Sequence, residues 1–185
     1  MPLTTVDPTP ALVVVDLQSG IVAMGLAETP AVIEKSVALA DAFRAKGLPV
    51  VLVNVSAAPG GRTDVNPAGG GRELPAEGIV LVPELGATEA DVLVTKRARG
   101  AFHGTDLADQ LAKRGVTQIF LTGVATGSGV EETGREAFAH GLNVVYVTDA
   151  MADSDPEIHE FVVRKVLPKL GETTTTDEVL AALAK

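Results

Sequence analysis

Apolar runs alternate along the chain with stretches of helical period. Ala11 to Val15 is a continuous apolar run that stops at Asp16, the pattern of a parallel strand buried on both faces. Residues 30–46 place Val32, Leu39 and Phe43 on one face, with Ile33, Val37 and Ala40 beside them, and Gly47 follows as a C-terminal cap. Pro49 to Val55 predicts a second strand. Residues 57–78 are rich in Gly, Pro and Ala around Gly69-Gly70-Gly71 and read as a mobile surface excursion. Ile79–Val82 is expected as a short edge strand and Asp91–Thr95 as a further strand. A helix from about Thr105 to Lys113 closes at Gly115. It is followed by a strand over 117–122, a helix over 129–140 closed by Gly141, and a strand over 142–148. Pro156 opens a helix running to about Leu170, and Asp177 is expected to cap a short last one.

This alternation predicts an α/β fold, a three-layer α/β/α sandwich around a mainly parallel six-stranded sheet. At 185 residues, without repeat or linker, the chain reads as a single domain over 1–185. Hydrophobic residues make up 46% and the net charge is −9. An acidic surface argues against nucleic acid as a partner, because binding phosphates demands basic patches. The sequence has no cysteine, which removes disulfides, thiolate metal sites and any cysteine nucleophile. No apolar stretch approaches about 18 residues and Met1-Pro2-Leu3 opens no signal peptide, so no membrane partner is expected and the expected location is cytoplasmic.

In parallel sheets ligands bind at the carboxyl ends of the strands. Three features fall there: Asp16, Lys96 and the turn TGVATGSG at 122–129. Strand, glycine-rich turn and helix is the layout of an anion cradle, and the turn superficially resembles the nucleotide loop of short-chain dehydrogenases. Their loop follows the first strand, however, and their Tyr-x-x-x-Lys pair has no counterpart, since Tyr146 is followed four positions on by Ala150. No NAD(P) or other cofactor is expected. The plainer alternative is that the glycines only permit tight strand-to-helix packing. A carboxylate that ends an apolar strand loses solvent, which raises its pKa and suits it to hold or donate a proton; the alternative is a turn cap. Lys96 could equally be a solvated lysine. If both reach one crevice, Lys96 would hold Asp16 and stabilise developing negative charge.

Three blocks together resemble the isochorismatase-like hydrolases: Asp16-Leu17-Gln18, TKRARGAFHGTDL at 95–107, and LTGVATGSGVEETGREAFAHGLNVVYVTDAMAD at 121–153. Their order and spacing match, and the resemblance covers essentially the whole chain. It implies the sheet order 3-2-1-4-5-6, with Ile79–Val82 at an edge and the 91–95 strand between the first strand and the 117–122 strand. It also implies a homodimer or larger homo-oligomer, in which the 57–78 segment could help close a site. The amidases of this family use an Asp-Lys-Cys triad. Asp16 and Lys96 match its first two members, but Gly129 stands where the nucleophile belongs, in Gly123-Val124-Ala125-Thr126-Gly127-Ser128-Gly129-Val130-Glu131. No thioester can form. Ser128 lies one residue earlier, about 100° around a helix, and would need a base beside it.

True isochorismatases are similar in having glycine at this position. There an aspartic acid protonates the carbon of a vinyl ether and water adds to the oxocarbenium ion. The resemblance thus implies Asp16 as general acid and Lys96 as its electrostatic partner. It also implies a non-proline cis peptide at Val124-Ala125, and N–H groups near Ala125 and Gly129 that favour an anionic substrate. Gln18, Phe102, Val124, Ala125, Thr126 and Ser128 are the candidate substrate-binding residues, Phe102 as the ring partner. The Thr-Gly-Ser-Gly part of the turn is closer to the amidase version.

The nicotinamidase branch holds a metal with Asp and His after the second strand, but Asn54-Val55-Ser56-Ala57-Ala58-Pro59 contains no histidine. His103, His140 and His159 are scattered over separate elements, so no metal is expected. His103 reads as an exposed loop residue and His140 as a complement to a helix dipole. Asp106, Asp149 and Glu131 read as structural, Asp106 and Glu131 in first turns of helices. Two functions remain open: a small-molecule hydrolase without covalent catalysis, and a catalytically inactive small-molecule-binding protein on the same fold. A raised Asp16 pKa in a dry pocket would favour the first, an ion-paired and solvent-open Asp16 the second.

Overall fold

The computed structural model describes residues 3–25 and 29–185. The chain runs through β1 (Pro10–Val15), the single-turn α1 (Ser19–Val22), α2 (Thr29–Ala45), β2 (Val50–Val55), β3 (Ala57–Ala58), β4 (Arg72–Glu73) and β5 (Val92–Lys96). It continues with α3 (Leu107–Lys113), β6 (Gln118–Val124), α4 (Glu131–Ala139), β7 (Asn143–Ala152), α5 (Pro156–Lys165), β8 (Glu172–Thr174) and α6 (Thr176–Leu183). Six strands form one sheet in the order β5-β2-β1-β6-β7-β8, and every pairing in it is parallel. Counted along the sheet strands alone this is 3-2-1-4-5-6, the expected order.

Two strands within that order differ from expectation. Ile79–Val82 is not a strand: residues 76–79 form a 3-10 turn and only Leu81 bridges to Gln18. The run is short, and Pro83 opens a second 3-10 turn directly after it. The sixth strand is instead β8. Pro168 lies in a 3-10 turn over Leu167–Lys169, so α5 stops at Lys165 and the chain re-enters the sheet edge. As a result β5 does not lie between the first strand and the 117–122 strand. It is the edge strand beyond β2.

Side chains alternate across the strands and make two cores. Val13, Val15, Val51, Val53, Ile119 and Leu121 pack with Leu107, Leu111, Ala137 and Val162 of α3, α4 and α5. Leu12, Val14, Leu52, Phe120 and Val145 pack with Val32, Leu39, Phe43 and Val179 of α2 and α6. Each of these side chains other than that of Ala137 contributes about 1.5–3 kcal/mol on leaving water, so both faces of the central strands drive folding. Phe43 and Phe120 meet edge to face with centroids 5.5 Å apart. The edge strand is tied back to α2 by a two-pronged pair, Arg44 Nη2 to Asp91 Oδ2 at 2.8 Å and Arg44 Nε to Asp91 Oδ1 at 3.1 Å.

The Gly-rich 57–78 segment carries more regular structure than its composition predicts. β3 and β4 pair antiparallel, and within the hairpin Gly61 N–H donates to Gly69 O at 2.8 Å. Capping also departs from expectation in two helices. Thr175, not Asp177, caps α6, in a reciprocal box with Glu178. Asp106 makes no cap bond and accepts from Gln110 instead, while Thr105 Oγ1 accepts the Leu107 N–H at 3.3 Å. No helix among the described residues is long and apolar enough to cross a membrane.

Gly123, next to last in β6, lies opposite Val15 with φ of 112°, and a Cβ there would fall on the Val15 backbone. Gly123→Ala should therefore destabilise the protein by about 3 kcal/mol or more in urea unfolding. A loss under about 1 kcal/mol would mean that the β1–β6 contact is looser than described.

Candidate active site

Strict alternation along β1 would send Asp16 toward the α2 side, as it does Leu12 and Val14. The backbone at Asp16 is left-handed, with φ of 57°, and ends the alternation. Such a conformation costs about 1 kcal/mol or more in a residue with a side chain and is found where a site demands it. Lys96 is the last residue of β5, on the same face as Val92 and Val94. β2 separates β5 from β1, so the two residues stand two strand spacings apart, roughly 10 Å, and a long side chain is needed to close the gap. Lys96 Nζ meets Asp16 Oδ2 at 2.8 Å, with the side chains 1% and 9% exposed. Lys96 also donates to the carbonyl of Arg99, three residues on.

Asp16 is thus ion-paired, yet buried rather than solvent-open. Burial pushes its carboxyl up to about 6, against the opposing pull of the charge and hydrogen bond of Lys96. One carboxyl oxygen is held by Lys96. The other, Oδ1, is buried and has no hydrogen-bond partner among the described residues.

Gly129 packs directly on this pair. A Cβ there would lie 2.8 Å from Asp16 Oδ2, 3.2 Å from Val15 Cγ1 and 3.3 Å from Lys96 Nζ. The ion pair occupies the space a side chain at 129 would need. The turn before α4 begins earlier than the helix expected from 129, as a π-turn over Thr126–Val130, and the Val124-Ala125 peptide is cis. Asp153 Oδ2 accepts the Gly127 N–H at 2.7 Å, and the Ala125 carbonyl takes the N–H groups of Ser128 at 3.0 Å and Val130 at 3.2 Å.

Asp16, Lys96, Val124, Ala125, Ser128 and Gly129 line a single cavity of about 620 Å³ at the carboxyl ends of the strands. Its remaining wall comes from Ile21 of α1 and Met24, from Val55 at the end of β2, from the β3–β4 hairpin, from the loop after β5 and from Ser154 after β7. Three candidate residues are placed elsewhere. Gln18 is fully buried; its amide donates to Val55 O and Gly78 O and accepts the Val55 N–H at 2.7 Å. It locks the end of β2 and is not among the residues that line the cavity. Phe102 is buried and stacks on His140, centroids 5.1 Å apart, away from the cavity wall. Thr126 is buried with its hydroxyl 2.8 Å from His159 Nδ1 in a hydrogen bond.

Arg62, Arg99 and Ser154 also line the cavity, and sequence reasoning did not single them out. Arg99 lies within the 95–107 stretch, three residues past Lys96, where strand periodicity ends. Arg62 sits in a segment without periodicity, and no pattern marks it. Asp149 accepts from the N-terminus of α6 through Thr176 N at 2.8 Å and pairs with Lys35 at 2.9 Å, a structural role as expected. Among the described residues no three His, Asp or Glu side chains are grouped to hold a metal ion.

Residues 10–178 match the family model described as the isochorismatase domain. The chain is similar to the uncharacterised isochorismatase family protein YwoC of Bacillus subtilis, 42% identical over 92% of each chain. The structure of an isochorismatase family protein from Burkholderia thailandensis is similar at 43% identity and a TM-score of 0.91, over 98% of each chain. The N-carbamoylsarcosine amidase of Thermoplasma acidophilum is similar at 26% identity and a TM-score of 0.77, over 91% of this chain and 97% of that one.

Two outcomes follow from the packing of the pair. Lys96→Met should raise the Asp16 pKa above its value of about 6, because the cation that favours the carboxylate is gone; a carboxyl-detected NMR titration reads this, and a lower pKa would contradict it. Gly129→Ala should destabilise the fold by about 1 kcal/mol or more in urea, since the methyl must displace the carboxylate from Lys96. Unchanged or higher stability would show that the pair has room to move.

Proposed function

The chain belongs to the isochorismatase family of hydrolases, and from that premise we propose that it hydrolyses a small molecule without a covalent intermediate, with Asp16 as general acid. The observation that carries the reading is the Asp16 carboxyl itself: buried, raised to about 6, one oxygen held by Lys96 and the other without a partner among the described residues. A group of this kind keeps its proton under mildly acidic conditions and can hand it to a substrate.

The reaction that fits is hydrolysis of a vinyl ether. The Asp16 proton passes to the terminal alkene carbon, leaving an oxocarbenium ion and the Asp16 carboxylate. Lys96, 2.8 Å away, compensates the new negative charge where water is scarce. Water adds to the oxocarbenium carbon and returns a proton to Asp16, and the hemiketal collapses to a ketone and an alcohol. No nucleophile is required, which agrees with Gly129 and the absence of cysteine. Ser128 lines the same cavity, but no histidine is among the described lining residues to act as its base, so an acyl-enzyme route lacks support. A substrate oxyanion or carboxylate near the turn would have to use donors such as Ala125 and Gly129, because those of Gly127, Ser128 and Val130 are already engaged.

The test is turnover of isochorismate and of nicotinamide by the wild type and by Asp16→Asn. The reading predicts vinyl-ether turnover, a fall of about 10²–10⁴-fold in Asp16→Asn, and a kcat/KM that drops about tenfold per pH unit above about 6 as the acid ionises. Turnover of the amide, or activity that survives Asp16→Asn, would overturn it. Binding without any turnover would favour a non-catalytic binding protein.

A further inference from the structure

The turn before α4 is not held by its own backbone alone. Gly127 departs from helical geometry, with φ of −88° and ψ of 20°, and its N–H goes to Asp153 Oδ2 at 2.7 Å rather than to a carbonyl of the turn. The Thr126 hydroxyl beside it is hydrogen-bonded to His159 Nδ1 at 2.8 Å. Asp153 directly follows β7 and His159 is the fourth residue of α5, so two neighbouring elements grip two consecutive residues of the turn. Gly127 also brings the turn close to α5: a Cβ there would lie 2.6 Å from Ile158 Cγ2.

Neither Asp153 nor His159 lines the cavity that holds Asp16. Both line a separate one of about 390 Å³ with Lys35, Asp149 and Glu160, and the two cavities share no lining residue. The turn stands between these groups and the acid. Gly129 follows Gly127 by two residues, and a Cβ there would lie 2.8 Å from Asp16 Oδ2, so its backbone covers the carboxyl. A hydrogen bond to a carboxylate is stronger than one between neutral groups, which suits Asp153 to fix the one non-helical residue. Desolvation is the largest influence on the Asp16 carboxyl, so whatever admits water beside Gly129 returns that group toward an ordinary acid.

We propose that Asp153 and His159 are positioning residues: from outside the cavity they fix Gly127 and Thr126, and thereby keep the Gly129 backbone closed over Asp16. Their role in the reaction rests on the reading of Asp16 as the acid. Among the described residues Lys96 is the charged group paired with Asp16, and Arg62 and Arg99 share its cavity; none of the three is touched by loss of the brace. The effect therefore reaches Asp16 through water and has one direction, because water favours the carboxylate. Removing the negative charge of Asp153 acts in the same direction, so the two causes have to be separated. Asp153→Asn does this: it deletes the charge and keeps an oxygen that accepts the Gly127 N–H.

The experiment is a carboxyl-detected NMR titration of Asp16 in the intact chain and in Asp153→Ala, Asp153→Asn, Thr126→Val and Thr126→Ser, with the pH profile of kcat/KM on isochorismate beside it. Thr126→Val deletes the hydroxyl bonded to His159, and Thr126→Ser keeps it. In Asp153→Ala and Thr126→Val the Asp16 pKa should fall from about 6 toward 3.8, by about 0.5 or more. In Asp153→Asn and Thr126→Ser it should stay within about 0.2 of the intact chain. The acid limb moves with it: kcat/KM at about pH 7 should drop about threefold in Asp153→Ala and Thr126→Val, and stay within about 1.5-fold at about pH 5. The two pairs of variants are independent, so either decides the question if a member of the other does not fold. An Asp16 pKa unchanged in Asp153→Ala or in Thr126→Val overturns the proposal. So does a fall as large in Asp153→Asn as in Asp153→Ala, which assigns the effect to charge, or an equal loss of activity at both pH values, which marks damage to the fold rather than to the acid. The titration needs no turnover. The expected falls in a chain that does not hydrolyse isochorismate would defeat the acid-catalysis reading alone, and activity lost in Asp16→Asn with unshifted titrations would defeat this proposal alone.

Discussion

A carboxyl and an ammonium group taken almost entirely out of water are held 2.8 Å apart at the top of the sheet, and much of the surrounding structure serves to keep them there. Desolvation costs several kcal/mol per ion and is recovered only where geometry and further hydrogen bonds are good. Here the Lys96 side has a second partner in the Arg99 carbonyl, but Asp16 Oδ1 has none among the described residues. The balance therefore tips toward the neutral acid at the carboxyl, which is why its pKa rises to about 6 in spite of the lysine beside it.

The sheet order imposes the form of the pair. Because β2 separates β5 from β1, the partner of Asp16 must come from two strands away, and a lysine at the last position of β5 has the reach. The register then matters: Lys96 pairs with Val55, and Val53 with Val15. A one-residue slip of the edge strand would turn Lys96 to the other face. The Arg44–Asp91 fork and the Gln18 clamp on the end of β2 both oppose such a slip. On the other side, Gly123 lets β6 pass close to Val15, and Gly129 leaves the volume that the carboxylate fills.

Much of the architecture was legible in the sequence. The apolar runs ending at Asp16 and near Lys96 located two strand ends, and glycines 47, 115 and 141 closed the helices near where they end. What periodicity could not give was the partner of each strand. Four apolar residues at 79–82 looked like a strand and were not. β8 has only three residues, two of them half-buried threonine and glutamate, too short and polar to announce itself beside Pro168. That error moved β5 from the edge to the interior of the expected sheet, yet the site still converged, because lysine reach compensates for one strand spacing. Within the site, the residues on strand ends and on the turn fell into the cavity. Gln18, Phe102 and Thr126 did not, since adjacency in sequence says nothing about which way a side chain is engaged. Arg62 was out of reach of any pattern argument, as its position depends on the hairpin fold of a segment whose composition suggests none.

Whether Asp16 acts as an acid depends on where one proton resides. Neutron diffraction from deuterated crystals held one pH unit below the Asp16 pKa locates it directly. The expected result is a deuteron on Asp16 Oδ1, with the Lys96 ammonium fully deuterated against Oδ2. An Asp16 carboxylate bare at both oxygens under those conditions would contradict it, and Asp16 would then be an ordinary partner of Lys96 rather than an acid.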